Sequence, residues 1–251
     1  MPRFFVKNEQ IEDELIKITG DDAFHISRSL RMAVGEHITA CDENGREYDC
    51  ILRQFEPDSV TAEISGSRDS AAEPPFKAHI YQGLPKGDKL ETVIQKAVEC
   101  GAVSVTPYES DFCIAKSKPE AEEKRRERRN KIAAEAAKQC GRAVLPTVGS
   151  PLSFADMIDE AKKSDVVLFC YEGEGTLPLG RAIKDLPTLL KEKESLSVSI
   201  VVGSEGGFSE KEVKAAKEAG FTVCGLGKRI LRTETAATFV MCCLVCSMEL
   251  Q

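Results

Sequence analysis

Val201-Val202-Gly203-Ser204-Glu205-Gly206-Gly207-Phe208 carries a β-branched run straight into a glycine loop, and Ser209-Glu210-Lys211-Glu212 then opens a helix with the spacing of a capping box. Strand, loop and capped helix in that order make one βα unit of a parallel sheet. Glycines let backbone N–H groups approach a ligand closely, and parallel sheets bind ligands beyond the carboxyl ends of their strands. The stretch is either a ligand loop or a merely structural βα turn. It is neither G-x-G-x-x-G nor G-x-x-x-x-G-K-[ST], so the dinucleotide and P-loop fingerprints are missing.

The pattern repeats on both sides of this unit. Short apolar runs at 79–82, 103–106, 166–171, 199–202 and 222–226 read as buried strands, with helical stretches between most of them. Leu90, Val93, Ile94, Ala97 and Val98 form one helical stripe; Asp88 and Glu91 are placed to cap its start and Gly101 to end it. Val213, Ala216 and Ala219 face inward from the helix after the glycine loop, with Gly220 as its stop. The expected class is α/β, a parallel sheet with covered faces. Strand 222–226 leads into Gly227-Lys228-Arg229-Ile230-Leu231-Arg232 before the last helix. If it lies beside strand 199–202, the two loops build one pocket of glycine backbone and apolar Leu226, Ile230 and Leu231, which suits an adenosine group. Arg232 either serves an anionic substrate there or pairs with Glu234.

The first seventy residues differ in kind. Strands at 36–41 and 48–55 flank Asn44-Gly45, a dipeptide suited to the positive φ of a tight hairpin, and 59–64 follows with alternating polarity. A small β-barrel or sheet is expected. Residues 66–75 (GSRDSAAEPP) lose hydrophobicity and read as an exposed linker, which divides the chain into domains 1–70 and 76–251.

Among the 251 residues, 34 Lys plus Arg stand against 41 Asp plus Glu, a net charge of −7 that disfavours non-specific coating of nucleic acid. No apolar run approaches the roughly 20 residues of a membrane helix. Met1-Pro-Arg-Phe-Phe-Val6 enters strand-like sequence without a signal-peptide pattern, so a cytoplasmic protein is expected. Of the ten cysteines only Cys243 and Cys246 form C-x-x-C, far in sequence from His25, His37 and His79; reduced core thiols are expected and no metal. His25 reads as a structural hydrogen-bonding residue.

One basic strip interrupts the acidic chain. From Lys116 to Lys138 nine Lys or Arg oppose five acids, concentrated in Lys124-Arg125-Arg126-Glu127-Arg128-Arg129, and Gln139 and Arg142 extend it. The strip is a solvated helix face or a phosphate-contacting one. Arg3, Arg28 and Arg31 are further phosphate candidates, or plain solubilising charge, and Lys86 can reach the crevice.

Met1-Pro-Arg-Phe-Phe-Val6, the string from His25 to Leu30-Arg31, Lys89-Leu-Glu through Gln95-Lys96, Gln139 with Arg142, Gly203-Ser-Glu-Gly-Gly-Phe208 and Leu226-Gly-Lys-Arg-Ile-Leu-Arg-Thr-Glu-Thr-Ala236 resemble, end to end, the RsmE family. These are the 16S ribosomal RNA (uracil-N3) methyltransferases of the SPOUT class. The last two motifs, in order and about twenty residues apart, are specific to the group. The sequence departs from the family pattern at Ser204, usually Pro, at Cys100, usually Leu, and at Lys138, usually Glu; none of these removes a polar group expected to act.

The resemblance implies an amino-terminal PUA-like β-barrel, a carboxyl-terminal trefoil knot, and a homodimer through the knot domain. It implies S-adenosylmethionine (S-adenosyl-L-methionine) in the knot loops, held by Tyr171, Gly203, Glu205, Gly206, Gly207, Leu226, Gly227, Ile230 and Leu231. The implied reaction is methyl transfer to N3 of uridine 1498 in the small ribosomal subunit. Arg232 is expected to orient RNA or stabilise charge on the uracil, with Arg142, supplied by the same or the partner subunit, as second catalytic candidate. Arg125, Arg126, Arg128 and Arg129, with Arg3, Arg28, Arg31 and Lys86, are expected to face RNA. No residue stands out as the base. Two rivals remain: an enzyme using another nucleotide, with Glu205 the one acid placed to hold a metal, and a non-catalytic RNA-binding protein, which leaves the paired glycine loops without a ligand.

Overall fold

The computed structural model describes residues 1–117, 119–193 and 195–250, so Lys118 of the basic strip lies outside the described residues. The chain divides into two units, one of residues 1–73 with 137–145 and one of 74–136 with the chain from 146 onward.

In the first unit, β1 (Arg3–Phe5), β2 (Ile11–Glu12), β3 (Leu15–Thr19), β4 (His37–Cys41), β5 (Arg46–Phe55) and β6 (Ser59–Asp69) form a sheet in the order β1-β4-β5-β6-β3-β2. Only the β1–β4 pair is parallel. Gly45 adopts φ +81° at the β4–β5 turn, the conformation that Asn-Gly favours. Period-2 alternation sends Ile16, Ile18, Ile38, Ala40, Cys50, Leu52, Val60 and Ala62 into one core with Phe4 and Ile26. Short helix α1 (Gly20–Phe24) continues as a π-type turn over His25–Ser29.

One expectation fails here. Residues 66–69, expected to begin a linker, are the end of β6 and pair with β5. Their polarity belongs to a solvent-facing strand end, which composition does not distinguish from a loop.

Residues 137–145, comprising the last turn of α3 (Pro119–Cys140) and the five residues after it, complete this unit. Arg142 is 2% exposed, and its Nε and Nη2 donate to Glu73, which also accepts the backbone N–H groups of Ala143 and Val144. Lys138 donates to Asp22 and sits 5.3 Å over the Phe4 ring, which accounts locally for a lysine at that position.

The second unit is a parallel sheet. Its strands are β7 (Phe76–Gly83), β8 (Ala102–Glu109), β9 (Thr147–Val148), β10 (Leu152–Ser153), β11 (Val166–Cys170), β12 (Leu177–Pro178), β13 (Leu196–Val202) and β14 (Thr222–Gly225). They run β10-β8-β7-β13-β11-β14-β12, with β9 beside β8. Helices α2 (Lys89–Glu99), α4 (Phe154–Ala161), α5 (Leu179–Ala182), α6 (Leu186–Glu192), α7 (Glu210–Glu218) and α8 (Thr233–Met248) connect or follow them. The α2 stripe is buried as its spacing predicts, and Gly101 at φ +95° lets the chain turn where a Cβ would come 2.3 Å from Pro74. Asp88 makes no side-chain cap bond, but the Ser209–Glu212 capping box forms in full.

All ten cysteines are free, and among the described residues no group of three or more His, Cys, Asp or Glu is placed to hold a metal ion. No described helix is long and apolar enough to cross a membrane.

The order around β11 positions the site. After β11 the chain passes through the edge strand β12, then crosses to β13 on the opposite side of β11, and then returns past β11 to β14, which lies between β11 and β12. Consecutive connections leaving in opposite directions open a crevice at the carboxyl edge of the middle strand.

Candidate active site

Register brings three strand ends level. Cys170 lies opposite Val202 in β13 and Cys224 in β14, so Tyr171, Gly203 and Gly225 follow at one edge. The loops beyond them enclose a crevice of about 670 Å³. Tyr171, Gly203, Glu205, Gly206, Gly207, Leu226, Gly227, Ile230 and Leu231 all line it, as does Arg232.

The floor is held by Gln82, which no sequence motif marks, and by Thr233, which the motif at 226–236 contains without a role assigned to it. Gln82, fully buried at the end of β7, donates from Nε2 to the Thr233 hydroxyl at 2.7 Å and to the Gly203 carbonyl at 3.2 Å. Thr233 in turn donates to that carbonyl at 2.6 Å. Strand β7, the glycine loop and the first turn of α8 are thereby locked together. A lone amide inside an apolar strand is the available signal, because a buried polar side chain must find partners. Tyr108 adds a bond from its hydroxyl to the Val202 carbonyl at 2.9 Å, and its burial pushes the phenol well above the ordinary range.

Close approach explains the glycines. A Cβ on Gly83 would come 2.6 Å from the Ser204 nitrogen, one on Gly206 2.7 Å from Phe112 Cβ, and one on Gly173 2.2 Å from the Tyr171 ring. At these positions the loops are packed tightly against their neighbours, and only glycine fits.

Charge is distributed unevenly around the crevice. Lys89 reaches Glu205 (Nζ–Oε1 2.7 Å) and lies 3.9 Å from Glu234 Oε2, while the Lys86 backbone N–H also donates to Glu205. Burial raises the Glu205 carboxyl, but the hydrogen bonds from Lys89 and the backbone outweigh it and hold the group below its ordinary value. Glu205 is thus already neutralised by lysine, which disfavours its use as a metal ligand. Arg232 is exposed at the start of α8 and has no ion-pair partner among the described residues; Glu234 faces Lys89 instead.

The crevice fits S-adenosylmethionine on its own terms. Leu226 and Leu231 offer apolar surface for a purine, glycine backbone offers N–H groups, and the volume falls within the usual range for small-molecule sites. Ser204 supplies a further sign, since its hydroxyl is buried in the crevice wall without a hydrogen-bond partner among the described residues.

Other expected residues lie elsewhere. Arg142 does not line the crevice; Glu73 holds it in the first unit. Arg3 is also engaged internally, with Glu47 and Cys41, whereas Arg28 and Arg31 are exposed. On α3, Arg126 pairs with Glu123, Arg128 with Glu91 and Arg129 with Glu122, leaving Arg125 exposed without a partner among the described residues. The Lys86 side chain is exposed beside the crevice.

The chain is similar to known proteins along nearly its whole length. Residues 72–245 match a family model for an RNA methyltransferase domain, and residues 18–65 one for an RNA methyltransferase PUA domain. The chain is 36% identical over 253 residues to the ribosomal RNA small subunit methyltransferase E of Bacillus subtilis (strain 168), covering 100% of this chain and 98% of that protein. A crystal structure of the same-named enzyme from Neisseria gonorrhoeae, bound to S-adenosyl methionine, matches with a TM-score of 0.83 and 28% identity over 99% of this chain and 98% of that one. A crystal structure of a hypothetical protein matches with a TM-score of 0.89 and 35% identity over 99% of both chains.

Proposed function

The chain belongs to the ribosomal RNA small subunit methyltransferase E family, and from that premise we propose that it methylates N3 of uridine 1498 of 16S ribosomal RNA within the small subunit. It is an S-adenosylmethionine-dependent ribosomal RNA methyltransferase. The observation that carries the finer assignment is the crevice at the ends of β11, β13 and β14, whose rim holds Arg232, an arginine with no ion pair among the described residues.

When bound, S-adenosylmethionine supplies an electrophilic methyl on a sulfonium that is its own leaving group. The protein has then to orient the uracil and favour loss of the N3 proton. Leu226, Ile230, Leu231 and Tyr171, which line the crevice with the glycine backbone, would hold the adenosine. N3 lies on the Watson–Crick edge, so the base is unpaired or extruded before it enters. Arg232 faces the uracil, and its positive charge stabilises the ring as the N3 proton departs to solvent. S-adenosylmethionine held there would supply the methyl for N3, its thioether leaving with the electron pair of the carbon–sulfur bond. Arg142 keeps its structural place beside Glu73.

Arg28, Arg31, Arg125 and Lys86 contact phosphate in this account. A few such contacts suffice on an assembled subunit, which reconciles an acidic chain with an RNA substrate. The order β13-β11-β14 supports threading of the chain into a trefoil knot, two copies pair through this domain, and the enzyme works in the cytoplasm.

Calorimetric titration with S-adenosylmethionine, and with ATP as comparator, tests the site. Saturable binding of the former alone is expected. Saturable binding of ATP alone would contradict the assignment.

A further inference from the structure

We infer that Phe112 is a stacking platform for an unpaired base of the RNA, set beside the crevice on a pinned turn. This rests on the ribosomal RNA substrate but adds a residue and a mode of contact.

Three observations converge on it. First, Phe112 is 50% exposed, between Cys113, which is 5% exposed, and Asp111, whose backbone is tied down. The turn closes with Cys113 N–H donating to the Ser110 carbonyl at 3.1 Å, and the Ser110 N–H donates back to the Cys113 sulfur. Asp111 N–H donates to Glu212 and its carboxylate accepts from Ser209 Oγ at 2.6 Å, so the turn is fastened to the start of α7. An aromatic side chain left in water on a rigid backbone loses little entropy when something stacks on it.

Second, the turn touches the crevice loop without using the ring. The space a Cβ on Gly206 would occupy is closed by Phe112 Cβ at 2.7 Å and the Phe112 carbonyl at 3.0 Å. Alanine would keep both of those atoms. The ring is therefore not what supports the loop, and its exposed apolar area has no assigned use within the chain.

Third, the surroundings suit a nucleic acid. Lys86, exposed, is bonded through its backbone to Glu205, next to Gly206, and Arg232 stands on the crevice rim. Exposed aromatics interleaved with cations are how proteins hold single strands, the ring taking a base and the cations the phosphates. Uracil N3 is reached in an unpaired or extruded base, and when the target nucleotide leaves the stack a base next to it loses a stacking neighbour just as the target enters the crevice. A ring at the crevice edge replaces that neighbour.

The test compares Phe112→Ala, Phe112→Leu and Phe112→Tyr in the full chain, with two readouts: affinity for small ribosomal subunits by co-sedimentation, and affinity for S-adenosylhomocysteine by calorimetry. Alanine and leucine should each weaken subunit binding about tenfold, and tyrosine by less than about twofold. Affinity for S-adenosylhomocysteine should be unchanged in all three. Leucine behaving like the unsubstituted chain, or alanine binding subunits normally, would overturn the inference. So would a loss of S-adenosylhomocysteine affinity matching the loss of subunit affinity, because the ring would then be supporting the loop. Subunit binding is read without methyl transfer, so a chain that binds subunits but methylates another position would refute the N3 assignment while leaving the Phe112 comparison decisive.

Discussion

The Gln82 amide and the Thr233 hydroxyl, far apart in sequence, meet at 2.7 Å beneath the Gly203 carbonyl and fasten a strand end, a glycine loop and a helix start into one floor. Thr233→Val keeps the bulk but removes the hydroxyl, so the Gly203 carbonyl loses its 2.6 Å donor and the Gln82 amide its 2.7 Å acceptor, leaving only the longer bonds from the amide to the Gly83 and Gly203 carbonyls. The expected cost is about 1–3 kcal/mol of stability, together with weaker S-adenosylhomocysteine binding. Thr233→Ser should restore most of both. Thermal unfolding and calorimetry on the two variants check this; a Val variant as stable as the parent would remove the floor from the account.

Arg232 has the opposite character, being exposed and free of ion pairs among the described residues. Arg232→Ala should leave the melting temperature and S-adenosylhomocysteine affinity nearly untouched while methyl transfer falls by about a hundredfold. Single-turnover rates on small subunits measure it, and an unchanged rate would exclude Arg232 from the reaction.

On α3 the ion pairs sort the arginines. Arg126 and Arg128 already face glutamates, and Arg125 does not among the described residues. Arg125→Ala should therefore cost more subunit affinity than Arg126→Ala or Arg128→Ala, and should lower the salt slope by about one. Binding at two ionic strengths separates the three. Equal losses would mean that the helix acts only through its total charge.

Asp165 precedes β11 and accepts from Lys193, then from the Ser197 N–H at 2.8 Å and Ser197 Oγ at 2.7 Å, bonds that hold its carboxyl at about 2 against an ordinary 3.8. A lowered folded-state value stabilises the protein above the ordinary value, and the contribution is lost as pH falls from there through about 2. Lys193 is largely solvated, so the screened contribution is about 1 kcal/mol. Asp165→Asn should be less stable by that amount at neutral pH, with the gap to the parent closing below the ordinary carboxylate range. Denaturant titrations at several pH values follow the gap; one that persists in acid would assign the effect to packing.

Much of the fold is legible in the sequence because it rests on local periodicity. The stripe of α2, the Ser209–Glu212 capping box and the Asn44-Gly45 turn are each decided within a few residues, and the structure shows all three. Both glycine loops are legible for the same reason, and their convergence follows once β13 and β14 are taken as near neighbours. In fact β11 lies between them, which brings Tyr171 into the site as well.

The features that escape a sequence reading depend on distant partners. Arg142 looks like an extension of a basic strip, but Glu73, far upstream, draws it into the first unit. Arg128 looks free because its partner Glu91 is on another helix. Gln82 and Thr233 have no visible link in sequence; the register of β7 against β13 sets Gln82 beside the glycine loop, and the start of α8 brings Thr233 to it. Residues 66–69 are polar enough to pass for a linker until β5 is seen beside them.

The central claim is tested most directly by incubating the purified chain with methyl-labelled S-adenosylmethionine and small ribosomal subunits that lack the modification, then digesting the 16S RNA to nucleosides. Label is expected in N3-methyluridine from a single position, and none when Arg232 is alanine on the same time scale. Label in another nucleoside, or none from the unsubstituted chain on intact subunits, would contradict it.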